Sequence, residues 1–537
     1  MDSFDYIIVG AGSAGCVLAN RLSESGRYSV LVLEAGGSDK RFWIQVPMGY
    51  GKTYYQKAVN WMYMAEADEG TNNRKSYWPR GKVLGGSSSI NAMVYIRGHR
   101  RDYDRWAELG NPGWGYEDVL PYFKKSEENQ LGASTYRGGE GPMFVSDVSR
   151  DLHPLCHNFI KAGEQLGETY NPDFNGAEQE GVGLYQTTTR AGFRQSTSKA
   201  FLHPALKRKN TKLITYAHVS RVLFEEKKAV GVEYVRKGKT CQVLANKEVI
   251  LSGGAINSPQ LLQLSGVGPD ALLKSHNIPL VHESPAVGQN LQDHLGMDYL
   301  YTTRKPTLND ELHSWWGKLW AGMKYVFARR GPLGLSINQG GGFVKTQTDF
   351  EQPNIQLYFS PLSYTRAPAG TRPLMNPDPF SAISLGLTNC HPTSRGHIHI
   401  KSSDPFEAPE IKPNYLSTEK DVQDFLEGVK YLRQMAEMPA LKEIIIDEMR
   451  PGKDLQTDEE LVADIRDYAW TCFHPTSTCR MGPSPEDNVV DAKLKVHGLE
   501  NLRVIDASIF PFLISGNTNA AAIMVGEKGA DLVLADA

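Results

Sequence analysis

The chain of 537 residues is 40% hydrophobic and 22% charged with a net charge of −3, a globular composition with no charge excess to attract nucleic acid. Single cores stop growing at roughly 250–300 residues, so two successive or interleaved domains are expected. No apolar run reaches the ~18 residues that a membrane-spanning helix needs.

In chain order, the apolar run from Asp5 to Val9 predicts a strand, Cys16 to Leu22 a helix, and Ser29 to Leu33 a second buried strand ending in Glu34. At the first strand-to-helix junction stand Gly10, Gly12 and Gly15, the G-x-G-x-x-G spacing of a dinucleotide-binding turn. Backbone amides and the helix N-terminus can hold a pyrophosphate there. Glu34, at the end of the second strand, suits the ribose hydroxyls and would repel a 2′-phosphate. This fingerprint leaves NAD and FAD open. Asp2 and Asp5 stand where a secretory signal carries positive charge, so a cytoplasmic enzyme is expected. The cysteines, Cys16, Cys156, Cys241, Cys390, Cys472 and Cys479, form no C-x-x-C pair, which predicts reduced thiols and no structural metal. Further along, Trp316, Leu319, Trp320, Met323 and Phe327 share one helical face, with Lys318 and Lys324 off it. A core helix is expected; the alternative is a helix docking on a membrane surface or a partner, suited to an enzyme peripheral to the membrane that passes electrons to a lipid-soluble quinone.

Three further segments carry more information: GKVLGGSSSIN at 81–91, GAINSPQLLQLSGVG at 254–268 and HPTSTCRMG at 474–482. Together with the glycine fingerprint they resemble the glucose-methanol-choline (GMC) oxidoreductases, over residues 5 to about 527. The stretch from Trp78 through Arg97 and Gly98, and the run Asn290-Leu-Gln-Asp-His294, look most like the choline dehydrogenase and bacterial alcohol dehydrogenase branch. The resemblance implies an α/β fold, α+β overall. A Rossmann-like FAD-binding domain would span 1–152, 192–298 and 466–537, and a discontinuous substrate-binding domain on an antiparallel sheet would span 153–191 and 299–465. It also implies that Gly86, Ser87, Asn91, Ala92 and Val94 line the flavin, that Val219 meets the adenine side, and that Asp506 and Ala507 touch the cofactor near the pyrophosphate or ring. Some members attach FAD through a histidine immediately before the loop asparagine. Ile90 stands there, so noncovalent FAD is expected.

Oxidising an alcohol removes a proton from oxygen and a hydride from carbon, and flavin N5 accepts the hydride. A histidine, with a pKa of roughly 6.5, can take the proton. By the resemblance that residue is His474, in Phe473-His474-Pro475, where the proline restricts the histidine backbone to extended conformations. Asn517, in Ser515-Gly-Asn-Thr-Asn519, matches the family's second catalytic position; an amide is no base but can hold the substrate oxygen. Asn519 is the weaker alternative. The expected reaction converts a small-molecule primary alcohol to its aldehyde, with a quinone or other acceptor taking the electrons. The alternatives are an alcohol oxidase using O2, a choline dehydrogenase and, more remotely, a flavin-containing hydroxynitrile lyase.

Overall fold

The computed structural model describes residues 2–364 and 377–537. The apolar segments Ser3–Val9 and Val30–Glu34 form parallel neighbouring strands whose Ile7, Ile8, Val30, Leu31 and Val32 are completely buried, as strands covered on both faces require. They belong to a seven-stranded sheet in the order Thr211–Thr215, Val30–Glu34, Ser3–Val9, Lys239–Leu251, Lys228–Arg236, His218–Glu225. Leu502–Val504 also pairs with Lys239–Leu251. The first four strands and Leu502–Val504 run parallel, and the remaining two turn back as an antiparallel meander. Because the parallel strands share a direction, Gly10, Glu34, Ser252 and Asp506 gather at one carboxyl edge, where open α/β sheets bind their ligands.

The N-terminal helix Ser13–Ser23 and the C-terminal helix Asn519–Ala535 begin side by side at this edge, Ser13 Oγ donating to Asn519 Oδ1, and pack against each other. Their backbones approach so closely that a Cβ on Gly526 would lie 3.0 Å from the Ala14 Cα. Arg21 Nε pairs with the buried Glu527 carboxylate at 2.7 Å, locking the chain's two ends to each other.

A second seven-stranded sheet is antiparallel throughout: Ile445–Arg450, Leu295–Thr303, Ala382–Asn389, Ile355–Ser360, Gly340–Val344, Gly181–Leu184, with Trp470–Thr471 added beside Leu295–Thr303. Its strands alternate with a period of two. Met297, Tyr299, Ile355, Leu357, Phe359, Ile383, Leu385 and Leu387 enter a core covered by the helices Leu155–Leu166 and Glu419–Glu437. Asp298, Leu300, Tyr358, Ser360 and Ser384 point the other way, into a cavity between the sheets.

One expectation fails. Residues Trp315–Ala328 do form a helix, but its apolar face is turned outward and only Ala321 and Tyr325 are buried. The anchoring stripe is narrow, set by Ala321 in a small apolar cluster and by Tyr325 Oη donating to the Gly192 carbonyl at 2.8 Å. The wide face of Trp316, Leu319, Trp320, Met323 and Phe327 is left exposed. Among the described residues no helix is long and apolar enough to cross a membrane.

Candidate active site

A single cavity of about 560 Å³ runs from the carboxyl edge of the parallel strands to the open face of the second sheet. That volume lies within the roughly 300–1,000 Å³ of ligand and cofactor sites. Gly10, Gly12, Glu34, Gly86, Ser87, Asn91, Ala92, Val94, Val219, Asp506, Ala507, His474 and Asn517 all line it. Gly15 does not; it lets the helix seat on the turn, since a Cβ there would lie 2.0 Å from the Gly10 carbonyl oxygen.

At the sheet end, Gly10 has φ 102°, and a Cβ on it would meet the Ser252 carbonyl at 2.5 Å. Glu34 accepts the amides of Gly36 (2.7 Å) and Ala11 (2.9 Å). Burial pushes its carboxyl up to about 7, opposed by those two amides and by Lys82. Each oxygen keeps a second lone pair for a ligand hydroxyl. The 81–91 loop lies directly on the glycine turn: Gly85 N donates to the Ala11 carbonyl at 2.8 Å, and a Cβ on Gly86 would come within 2.7 Å of the Gly12 Cα. Asn91 Oδ1 accepts from the Met93 amide and from buried Arg194. Asp506 accepts from the amides of Gly254 and Ser508 and from Ser258 Oγ, while burial raises its pKa.

At the far end, His474 is fixed from both its backbone and its ring. Its amide donates to Asp293 Oδ1 at 2.6 Å, and Asp293 Oδ2 accepts from Tyr415 and Thr471 at 2.5 Å each. Arg80 donates to the Phe473 carbonyl at 2.6 Å, and Phe473 itself holds φ 65°. The ring tautomer follows from a chain of donors. A carbonyl only accepts, so the contact of His294 Nε2 with the Cys390 oxygen at 3.2 Å places the His294 proton on Nε2. Burial lowers the His294 pKa to about 4, leaving Nδ1 a bare lone pair near neutral pH. His474 Nδ1 must then donate across 3.0 Å to His294 Nδ1. His474 Nε2 is therefore unprotonated, and it accepts from Asn517 Nδ2 at 3.2 Å. Burial, followed by His294 and Arg80, holds the His474 pKa well below the usual histidine range. Asn517 Oδ1 accepts from Gln356 Nε2 at 3.3 Å, which fixes the amide's orientation. Asn519 is engaged elsewhere, accepting from Ser13 Oγ at 2.7 Å.

Family models described as GMC oxidoreductase match residues 4–296 and 392–526. The chain belongs to the GMC oxidoreductase family. It is 45% identical to an alcohol dehydrogenase [acceptor] of Pseudomonas putida, covering 99% of this chain and 96% of that protein. It is 43% identical to the mitochondrial choline dehydrogenase of Mus musculus, over 99% of this chain and 89% of that one. Pyridoxine 4-oxidase from Mesorbium loti has the same fold, with a TM-score of 0.88 at 32% identity over 98% of both chains.

In this GMC oxidoreductase, several site residues escape sequence reasoning. Asp293 and His294 sit inside the run 290–294, which carried the family resemblance but gave no hint that both would reach His474. An adjacent Asp-His pair was the available signal. Arg194, Gln356 and Tyr358 carry no motif at all. Among the described residues one group could hold a metal ion, His397, His399 and Glu410, with ligand atoms within 4.8 Å of one another; none of the three lines the cavity.

Proposed function

We propose that the chain binds FAD noncovalently in this cavity and oxidises a primary alcohol to the aldehyde, passing the electrons to a quinone or another acceptor. The observation that carries this reading is a neutral, buried His474 whose bare Nε2 faces Asn517 in the same cavity as the glycine turn. The names of the relatives, an alcohol dehydrogenase [acceptor] and a choline dehydrogenase, support the reaction class.

The residues fit the cofactor. Gly10, Gly12 and Glu34 would hold its adenosine and pyrophosphate, with Val219, Asp506 and Ala507 beside it, and Gly86, Ser87, Asn91, Ala92 and Val94 would face the flavin. Ile90 lines the cavity with no ring nitrogen to bond the cofactor. FAD, when bound, supplies the hydride acceptor.

This chain's own residues handle the proton. The substrate hydroxyl would give its proton to His474 Nε2, which a lowered pKa keeps neutral and ready near neutral pH. The Asn517 amide would hold the substrate oxygen meanwhile. His294 Nδ1 keeps accepting the His474 Nδ1–H, so the ring cannot rotate or change tautomer as it gains the proton.

A specific observation favours choline as a second substrate reading. Asp298 and the rings of Tyr54, Tyr55, Trp470 and Phe473 line the same cavity, the combination of aromatic faces and carboxylate that attracts a quaternary ammonium. The test is anaerobic mixing of the purified protein with primary aliphatic alcohols, aromatic alcohols and choline, following the visible flavin absorption. Bleaching by one class identifies the substrate, and slow recolouring in air identifies a dehydrogenase. Rapid recolouring replaces the acceptor reading with an oxidase. A flavin that no alcohol bleaches overturns the proposal. His474→Ala should retain FAD and lose about 10²–10⁴ in flavin reduction rate, the range of general base catalysis.

A further inference from the structure

The outward helix Trp315–Ala328 carries seven large apolar side chains, Trp315, Trp316, Leu319, Trp320, Met323, Val326 and Phe327, each between 38% and 85% exposed. Soluble surfaces rarely gather so many in one place without a partner. The helix is not a frayed element that happens to face water. Ser314 caps its N-terminus through the Gly317 amide, Tyr325 ties it to Gly192, and Arg329 lies over the Phe193 ring at 4.7 Å.

Its charge is as one-sided as its polarity. Lys318, Lys324, Arg329 and Arg330 are exposed, and no Asp or Glu occurs from 314 to 330, on a chain whose net charge is −3. Of the acids that flank it, Asp310 caps the preceding helix at Thr307 and accepts from Ser381, Asp151 faces Arg330 at 3.9 Å, and Glu311 is exposed just before the helix begins. Tryptophan and phenylalanine beside lysine and arginine is the composition of a helix lying in the headgroup plane of a bilayer.

We propose that this helix docks the enzyme on an anionic lipid surface, with the aromatic face in the acyl boundary and Lys318 and Lys324 among the headgroups. A second copy of the chain is the poorer occupant, because a twofold contact through this face would bring two copies of a helix that carries Lys318 and Lys324 and no acid of its own into apposition. Ala321, on the helix's inner side, shares a cluster with Met48, Tyr50, Met93, Ile337 and Leu362, and the last four also line the cavity. A docked helix therefore stands one layer of side chains from the cavity wall.

The test is flotation of the holoenzyme with vesicles of phosphatidylglycerol and phosphatidylcholine, compared with phosphatidylcholine alone. The expected result is binding to the anionic vesicles, weakened by salt. Lys318→Glu with Lys324→Glu should weaken binding by at least about 25-fold, from roughly fivefold per basic residue removed. Trp316→Ser with Trp320→Ser and Phe327→Ser should abolish flotation while FAD content and alcohol oxidation with a soluble acceptor stay at the parent level, because none of these side chains reaches the cavity. No flotation of the parent protein overturns the proposal, as does flotation that the triple variant keeps. A parent protein that is dimeric in sedimentation, does not float and becomes monomeric in the triple variant assigns the face to a second copy instead.

Discussion

Replacing His294 by Leu tests the tautomer relay directly. The substitution removes the lone pair that accepts His474 Nδ1–H and preserves an apolar filling of the space. A buried N–H left without an acceptor costs about 1–3 kcal/mol. His474 can escape that cost by moving its proton to Nε2, the atom that must be bare to act as a base, so the competent tautomer should fall by about 5-fold to 150-fold. Rapid anaerobic mixing should show flavin reduction slowed by that factor, with bound FAD and the alcohol concentration for half-saturation nearly unchanged. His294→Gln should recover most of the rate, because its amide oxygen can accept from His474 while its NH2 donates to the Cys390 carbonyl. Parent-like reduction in His294→Leu, or a Gln variant no faster than Leu with both fully loaded, would refute the relay.

Three other outcomes follow from the same geometry. Folding stability should drop as pH falls from about 7 towards 4: His294 has an unfolded pKa near 6.5 and a folded value of about 4, so the unfolded chain binds the extra proton and stability is lost through that window. The buried ring contributes about 3 kcal/mol of change across that window, which denaturant titrations of the parent and His294→Gln at the two ends would measure as a flatter dependence in the variant. Gly86→Ala should lower the flavin-to-protein ratio on purification, because its Cβ would lie 2.7 Å from the Gly12 Cα and force the two loops apart. Acid precipitation should release FAD intact into the supernatant, Ile90 offering no site of attachment; flavin retained in the pellet would show otherwise.

The parts of this site that are legible in the sequence are the local ones. Gly10, Gly12 and Glu34 belong to one strand-turn-helix-strand unit, where spacing alone dictates that they meet at the sheet edge. The chemistry at His474 is not local. Its ring partner His294 and its amide partner Asp293 lie 180 and 181 residues away, and they arrive through the pairing of Trp470–Thr471 with Leu295 and Gly296 at the start of a long strand. Nothing in either segment announces that pairing, so the sequence motif names a histidine without saying which nitrogen is bare.

The helix Trp315–Ala328 fails to be legible for a different reason. Periodicity reports that apolar side chains share a face, and the usual inference that this face is buried assumes water as the only alternative. Here the anchoring positions are Ala321, with the least area to bury, and Tyr325, whose hydroxyl needs an acceptor and finds one in Gly192. The larger rings are spent on the outside. A fold that hides an alanine and a tyrosine and exposes three tryptophans within one helix leaves a large apolar area facing outward. A medium other than water facing those rings would offset that cost, which is the physical content of the lipid-docking proposal.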